Sequence, residues 1–126
     1  MTITNGTVTL PTGTATFGGD FINSGGSFTG ADTTTLFNGT GAGQVVTFGG
    51  SDLATTTFDG VGGSWTITDT GATTTGSFTV SNGAVTLPPG VLAVANDFVI
   101  EDTISHNGGT IRLYDPSAGH ATNPIR

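Results

Sequence analysis

The chain repeats itself at long range, and that limits what it can fold into. Asn5-Gly6-Thr7-Val8-Thr9-Leu10-Pro11-Thr12-Gly13 returns as Asn82-Gly83-Ala84-Val85-Thr86-Leu87-Pro88-Pro89-Gly90, and both copies run on to Asp-Phe, at Asp20-Phe21 and Asp97-Phe98. Over residues 5–21 against 82–98, nine of seventeen positions are identical at a constant offset of 77, without a gap. A recurrence of this kind belongs to stacked architectures, in which each unit buries its apolar face against the next.

The stacked units are strands. Nowhere do ten residues combine apolar positions at i, i+3 and i+4 with freedom from Gly, Pro and dense Ser/Thr, so helix is excluded. Period-two alternation runs throughout: Val8 and Leu10, Ala15 and Phe17, Trp65 and Ile67, Phe78 and Val80, Ile111 and Leu113 each alternate with small polar residues or Arg112. Large apolar residues recur at Phe28, Phe37, Phe48, Phe58, Ile67, Phe78, Leu87 and Phe98, a step of nine to eleven each time. Turn signals such as Gly25-Gly26, Asn38-Gly39, Gly62-Gly63 and Pro88-Pro89-Gly90 lie between them.

Two such steps make a rung of about twenty residues, and the offset of 77 then covers about four rungs. The fold class read from this is all-β, a single-stranded parallel β-solenoid of about six rungs. Phe28, Phe37, Phe48, Phe58, Trp65, Phe78 and Phe98 should be interior, with the phenylalanines stacked rung over rung. An antiparallel β-sandwich or jelly roll is the alternative, since it too has short strands at 8–12-residue intervals. The Asn-Gly pairs at 5, 38, 82 and 107 suit hairpin turns and solenoid corners alike. Residues 1–115 form the repeat domain. Residues 116–126 lose the alternation and read as a C-terminal cap or flexible tail. Ile100 to His106 interrupts the register and is expected to bulge from one corner.

Composition narrows the function. Thr occurs 27 times and Lys never, and nine acidic residues against two basic ones give a net charge of −7. With Arg112 and Arg126 alone, no groove can neutralise several phosphates, so nucleic acid is disfavoured as a partner, as is an anionic membrane surface. The longest apolar run, Val91 to Ala95, is too short for membrane insertion. Without Cys there is no disulfide framework and no thiolate.

No catalytic, cofactor-binding or metal site is assigned. Asp20, Asp52, Asp59, Asp69, Asp97 and Asp115 sit beside turn residues, where Asp caps its own backbone; Glu101-Asp102 is the one adjacent acidic pair. Glu101, Asp102, His106 and His120 match no ligand spacing, and Gly49-Gly50-Ser51-Asp52-Leu53 is a lone echo of a calcium-roll repeat. No nucleophile elbow occurs, and the Gly-rich stretches lack the Lys and following helix of a phosphate loop. Paired Thr-x-Thr, as at 7/9, 14/16 and 66/68, raises ice or glycan-surface binding through a Thr-rich face. Against it, the second copy replaces Thr7, Thr14 and Thr16 by Ala84, Val91 and Ala93, which would break the ladder.

Segments such as Phe21-Ile22-Asn23-Ser24-Gly25-Gly26-Ser27-Phe28, Gly63-Ser64-Trp65-Thr66-Ile67 and 76–87 resemble the β-strand-repeat regions of haemagglutinin-like and autotransporter-like bacterial surface proteins. The resemblance covers about residues 2–114 and is one of style, without a diagnostic motif. It implies a right-handed parallel β-helix, an extracellular or cell-surface location, and a non-enzymatic stalk, fibre or adhesive role. The repeat carries no catalytic residues. The chain reads as an excised piece of a longer protein or as a small self-assembling subunit. Uncapped solenoid ends expose strand edges, so end-to-end self-association into filaments is expected.

Overall fold

The computed structural model describes residues 1–30 and 32–114. Every strand pairing among them is parallel, which excludes the antiparallel sandwich. The chain is a β-solenoid of about six turns, each with three sides, here called faces I, II and III. The first turn is β1 (Thr2–Ile3), β2 (Thr7–Thr9) and β3 (Gly13–Phe17); the second is β4 (Phe21–Asn23), β5 (Ser27–Thr29) and β6 (Thr33–Phe37). The third has β7 (Gln44–Thr47), a lone bridge at Leu53, and the start of β8 (Thr55–Ile67), which bends through the corner to begin the fourth. There follow β9 (Ala72–Thr74) and β10 (Phe78–Thr86), which bends likewise, then β11 (Val91–Val94) and β12 (Phe98–Ile100). The last two sides are β13 (Thr103–Ser105) and β14 (Thr110–Leu113).

Register gives the rung length directly. Thr2 pairs with Ile22, Thr34 with Thr55, Gln44 with Trp65, and Phe78 with Phe98, so a turn is twenty or twenty-one residues at these points. The widest step, Phe21 to Val46, places its surplus in the corner segment 38–43, where strand pairing is not required. The expected bulge at 100–106 does not occur. Thr103, Ile104 and Ser105 pair with Ala84, Val85 and Thr86, so the segment is a regular side, and Glu101-Asp102 merely turns the corner before it. The segment 116–126 lies outside the described residues.

The same pairings reinterpret the recurrence. Val8 lies on β2 in face II, whereas Val85 lies on β10 in face I; Phe21 opens β4 in face I, and Phe98 opens β12 in face III. The second copy is therefore displaced by eleven sides, three and two-thirds turns, not by four whole turns. Seventy-seven residues over eleven sides is seven residues per side. What recurs is a strand with its corner, and the copies sit on different faces.

The core is an aromatic ladder. All seven rings expected inside are buried, none more than 4% exposed. Phe37 stacks on Phe58 at 4.9 Å between centroids, Phe58 meets Phe78 at 5.5 Å, and Phe78 stacks on Phe98 at 5.6 Å. The Phe58–Phe78 step is a diagonal: Phe58 pairs with Val80, and Phe78 with Thr56. Threonine departs from the expectation that hydroxyls face outward, for Thr33, Thr35, Thr56 and Thr74 are buried. Thr has the branched shape of Val and fills an inward position, at the cost of housing a hydroxyl. Thr56 and Thr74 direct theirs to the carbonyls of Ala54 and Gly76.

Trp65 is the largest buried side chain and needs room at the corner between faces III and I. A Cβ on Gly83 would lie 2.7 Å from Trp65 Cζ3, and Gly83 has φ +100°; Gly62, in the same corner, has φ +78° but open space around it. Gly62→Ala is expected to cost about 1–2 kcal/mol, the left-handed backbone penalty alone. Gly83→Ala adds overpacking of about 1–3 kcal/mol to the same penalty. Urea midpoints of the two variants check this, Gly83→Ala having the lower one.

Candidate binding face

The acidic residues are the first candidates, and most of those with defined contacts tie one turn to its neighbour. Asp20 Oδ1 accepts from Val45 N–H at 2.8 Å; Asp69 accepts from Phe48 and Gly49 N–H at 2.7 and 2.8 Å; Asp102 Oδ2 accepts from Gly83 N–H at 2.8 Å. Asn82 Nδ2 donates to Asp59 Oδ1 at 2.7 Å. The expectation was that each Asp caps its own turn. Instead these contacts bridge 19 to 25 residues, because the parallel stack sets one corner directly over another. A carboxylate so engaged satisfies backbone donors that strand geometry leaves over at a corner.

No group of three His, Cys, Asp or Glu side chains able to hold a metal forms among the described residues. His106 hydrogen-bonds Gly109 O within its own turn, apart from any metal cluster, and Asp115 and His120 lie outside the described residues. Asp52 lies in the turn before Leu53 and acts electrostatically on Tyr114. A corner groove of about 160 Å³ is lined by Thr9, Thr12, Thr29, Asp32 and Thr33 over Leu10. One carboxylate among hydroxyls supplies neither an acid–base pair nor a nucleophile with its base.

Threonine gives the more ordered surface. On face III the outward positions stack as Thr14 on Thr34 on Thr55, and as Thr16 on Leu36 on Thr57 on Thr79. Ser77 continues the first column, since it directly precedes Phe78, the partner of Thr56. The result is a two-column array over four turns, spaced ~4.8 Å between turns and roughly 6.6 Å along each strand. Leu36 is its single departure. The second copy does not break this ladder, because Ala84, Val91 and Ala93 lie on other faces from Thr7, Thr14 and Thr16 and never stack on them. Elsewhere stacked hydroxyls pair with each other, Thr47 with Thr68 at 2.6 Å and Thr7 with Ser27 at 3.1 Å. Among the described residues no such bond links Thr14, Thr34 and Thr55. Their hydroxyls are left for solvent or for a surface laid against the face.

Compared with protein-family models, with curated proteins and with solved structures, the chain matches none.

Two outcomes follow. Asp69→Ala leaves two backbone donors without an acceptor and should cost about 1–3 kcal/mol in a urea melt, whereas exposed Glu101→Ala should leave the midpoint unchanged. Tyr114, the sole tyrosine, is held above its ordinary pKa of 10.0 by burial and by Asp52, with Arg112 opposing. A raised folded-state pKa means that the neutral phenol favours the fold. Its contribution is complete below pH 10.0 and is lost as pH rises through the folded value. Absorbance titration should place phenolate formation later in the folded than in the urea-unfolded chain, and Tyr114→Phe should remove this part of the alkaline stability loss.

Proposed function

We propose that this chain is a non-enzymatic structural and adhesive repeat module of the bacterial-surface type, acting outside the cell and stacking end to end into fibres. The observation that carries the reading is the coil itself: about six parallel turns around a continuous hydrophobic core rich in aromatic rings. Among the described residues β1, β2 and β3 have one strand partner each, and the same is true of β12, β13 and β14. Parallel strands with a single partner invite further strands, and the half-buried Val8 and Phe17 on the first turn and Ile100, Ile104, Ile111 and Leu113 on the last strands described add apolar area to such pairing. The two edges are different surfaces, so contact between them is heterologous and propagates instead of closing. The resemblance of residues 2–114 to surface-protein repeats supports the extracellular setting.

A second reading, a binding face for ice or a crystalline glycan surface, is favoured by one specific observation, the two-column hydroxyl array on face III. Outward hydroxyls repeated from turn to turn, those of Thr14, Thr34 and Thr55 without a hydrogen bond among the described residues, suit a surface that is itself periodic and uncharged.

One pair of measurements separates the readings. Sedimentation and negative-stain imaging over a range of micromolar concentrations should show growth into filaments; a monodisperse monomer throughout overturns the fibre reading. Thermal hysteresis or retention on crystalline polysaccharide, lost in Thr57→Lys, would transfer the function to face III.

A further inference from the structure

We infer that Asn5 is a site of spontaneous chemical modification, converting through a cyclic imide to aspartate and isoaspartate, and that the fold locks Asn82 against the same reaction. The two residues occupy the same position in the two copies of the recurrence, each followed by Gly. Local sequence therefore assigns them the same reactivity.

The chemistry needs the backbone nitrogen of the following residue to reach the Asn side-chain carbon. The Gly6 amide nitrogen gives up its proton to hydroxide and attacks Asn5 Cγ. The N–Cγ bond forms, Cγ–Nδ2 breaks, and ammonia leaves after taking a proton from water. Water then opens the imide at either carbonyl. Opening at Cγ gives aspartate; opening at the main-chain carbonyl gives isoaspartate, with one extra methylene in the backbone. No oxidant or reductant is involved.

At Asn5 the parts are assembled. Asn5 and Gly6 are exposed, and Gly6 N–H donates to the Oδ1 of Asn5 itself at 2.8 Å. That contact keeps the nucleophilic nitrogen beside the carbonyl it must attack and polarises that carbonyl. No side chain crowds the turn: a Cβ on Gly6 would meet nothing within 4 Å.

At Asn82 each part is taken by a neighbouring turn. Gly83 N–H donates to Asp102 Oδ2 at 2.8 Å, so the nitrogen is held by a carboxylate, and losing its proton there would place two negative charges together. Asn82 Nδ2 donates to Asp59 Oδ1 at 2.7 Å, which holds the side-chain amide toward the turn on the other side. Gly83 is buried against the Trp65 ring, so the backbone cannot swing to close the imide. Among the described residues no carboxylate hydrogen-bonds Asn5 or the Gly6 N–H, whose acceptor is Asn5 Oδ1 itself. Conversion at Asn5 adds a negative charge and, as isoaspartate, lengthens the corner whose Gly6 carbonyl accepts from Ser27 N–H at 2.9 Å. The first turn would loosen from the second.

The test follows the intact chain at mildly alkaline pH, native and in urea. Peptide mass mapping and enzymatic methylation of isoaspartyl groups read both sites. In urea Asn5 and Asn82 should convert at similar rates. In the native chain Asn5 should keep a comparable rate while Asn82 slows on the order of a hundredfold, the usual penalty for a misplaced nucleophile. Asp102→Ala, checked for native circular dichroism, should restore reaction at Asn82. Equal native rates at the two sites, or an Asn5 slowed as much as Asn82, overturns the inference.

Discussion

The parallel hydrogen-bond ladder between successive turns is the constraint on which the rest of this molecule depends. Side chains alternate in and out with a period of two, so a slip of one residue between turns would turn the aromatic core to solvent. Strands must therefore stay in register, and all variation in turn length is pushed into the corners. The long step from Phe21 to Val46 is absorbed at 38–43, and the shifts in pairing between β8 and β10 fall at Asn82, where both strands bend. Corners vary because nothing inward depends on their length; strands do not because everything inward does.

Once register holds, like stacks on like, and this gives the coil its core and its surface together. Inside, Phe37 over Phe58 and Phe78 over Phe98 form ring contacts that no single turn could make. Outside, Thr14, Thr34 and Thr55 line up by the same operation. With few charges and no Lys, these hydroxyl columns, together with inter-turn carboxylate contacts such as those of Asp20, Asp69 and Asp102, make up much of the polar chemistry of the surface.

The aspartates show how the stack redirects short-range chemistry. Asp beside Gly in a turn ordinarily finds its acceptor role within two or three residues. Here Asp69 instead serves Phe48 and Gly49, and Asp102 serves Gly83, because the nearest unsatisfied donors belong to the turn alongside. The corners are thus cross-linked along the coil by carboxylates as the faces are by strands.

Much of the fold was legible in the chain. Period-two alternation with Phe or Trp at the inward positions marks both strand and interior, since a bulky ring has only one face on which it can be buried; the seven rings and the rung of about twenty residues follow from that. Three things were not legible. Within Thr33-Thr34-Thr35 and Thr55-Thr56-Thr57 alternation carries no contrast, and only packing decides that Thr35 and Thr56 point inward while Thr34, Thr55 and Thr57 point out. The recurrence at 77 residues identified a strand-and-corner unit but could not say on which face each copy falls, because the three sides are locally equivalent and the number of sides per turn is a property of the closed coil. For that reason the threonine ladder looked broken in sequence and is continuous over Thr14, Thr34 and Thr55 in space. Likewise Asn5 and Asn82 share one local sequence, and the contacts that hold Asn82 and Gly83 to Asp59 and Asp102 have no counterpart at Asn5 among the described residues. Sequence determined what each side is made of; the closure of three sides into a turn decided which residues meet.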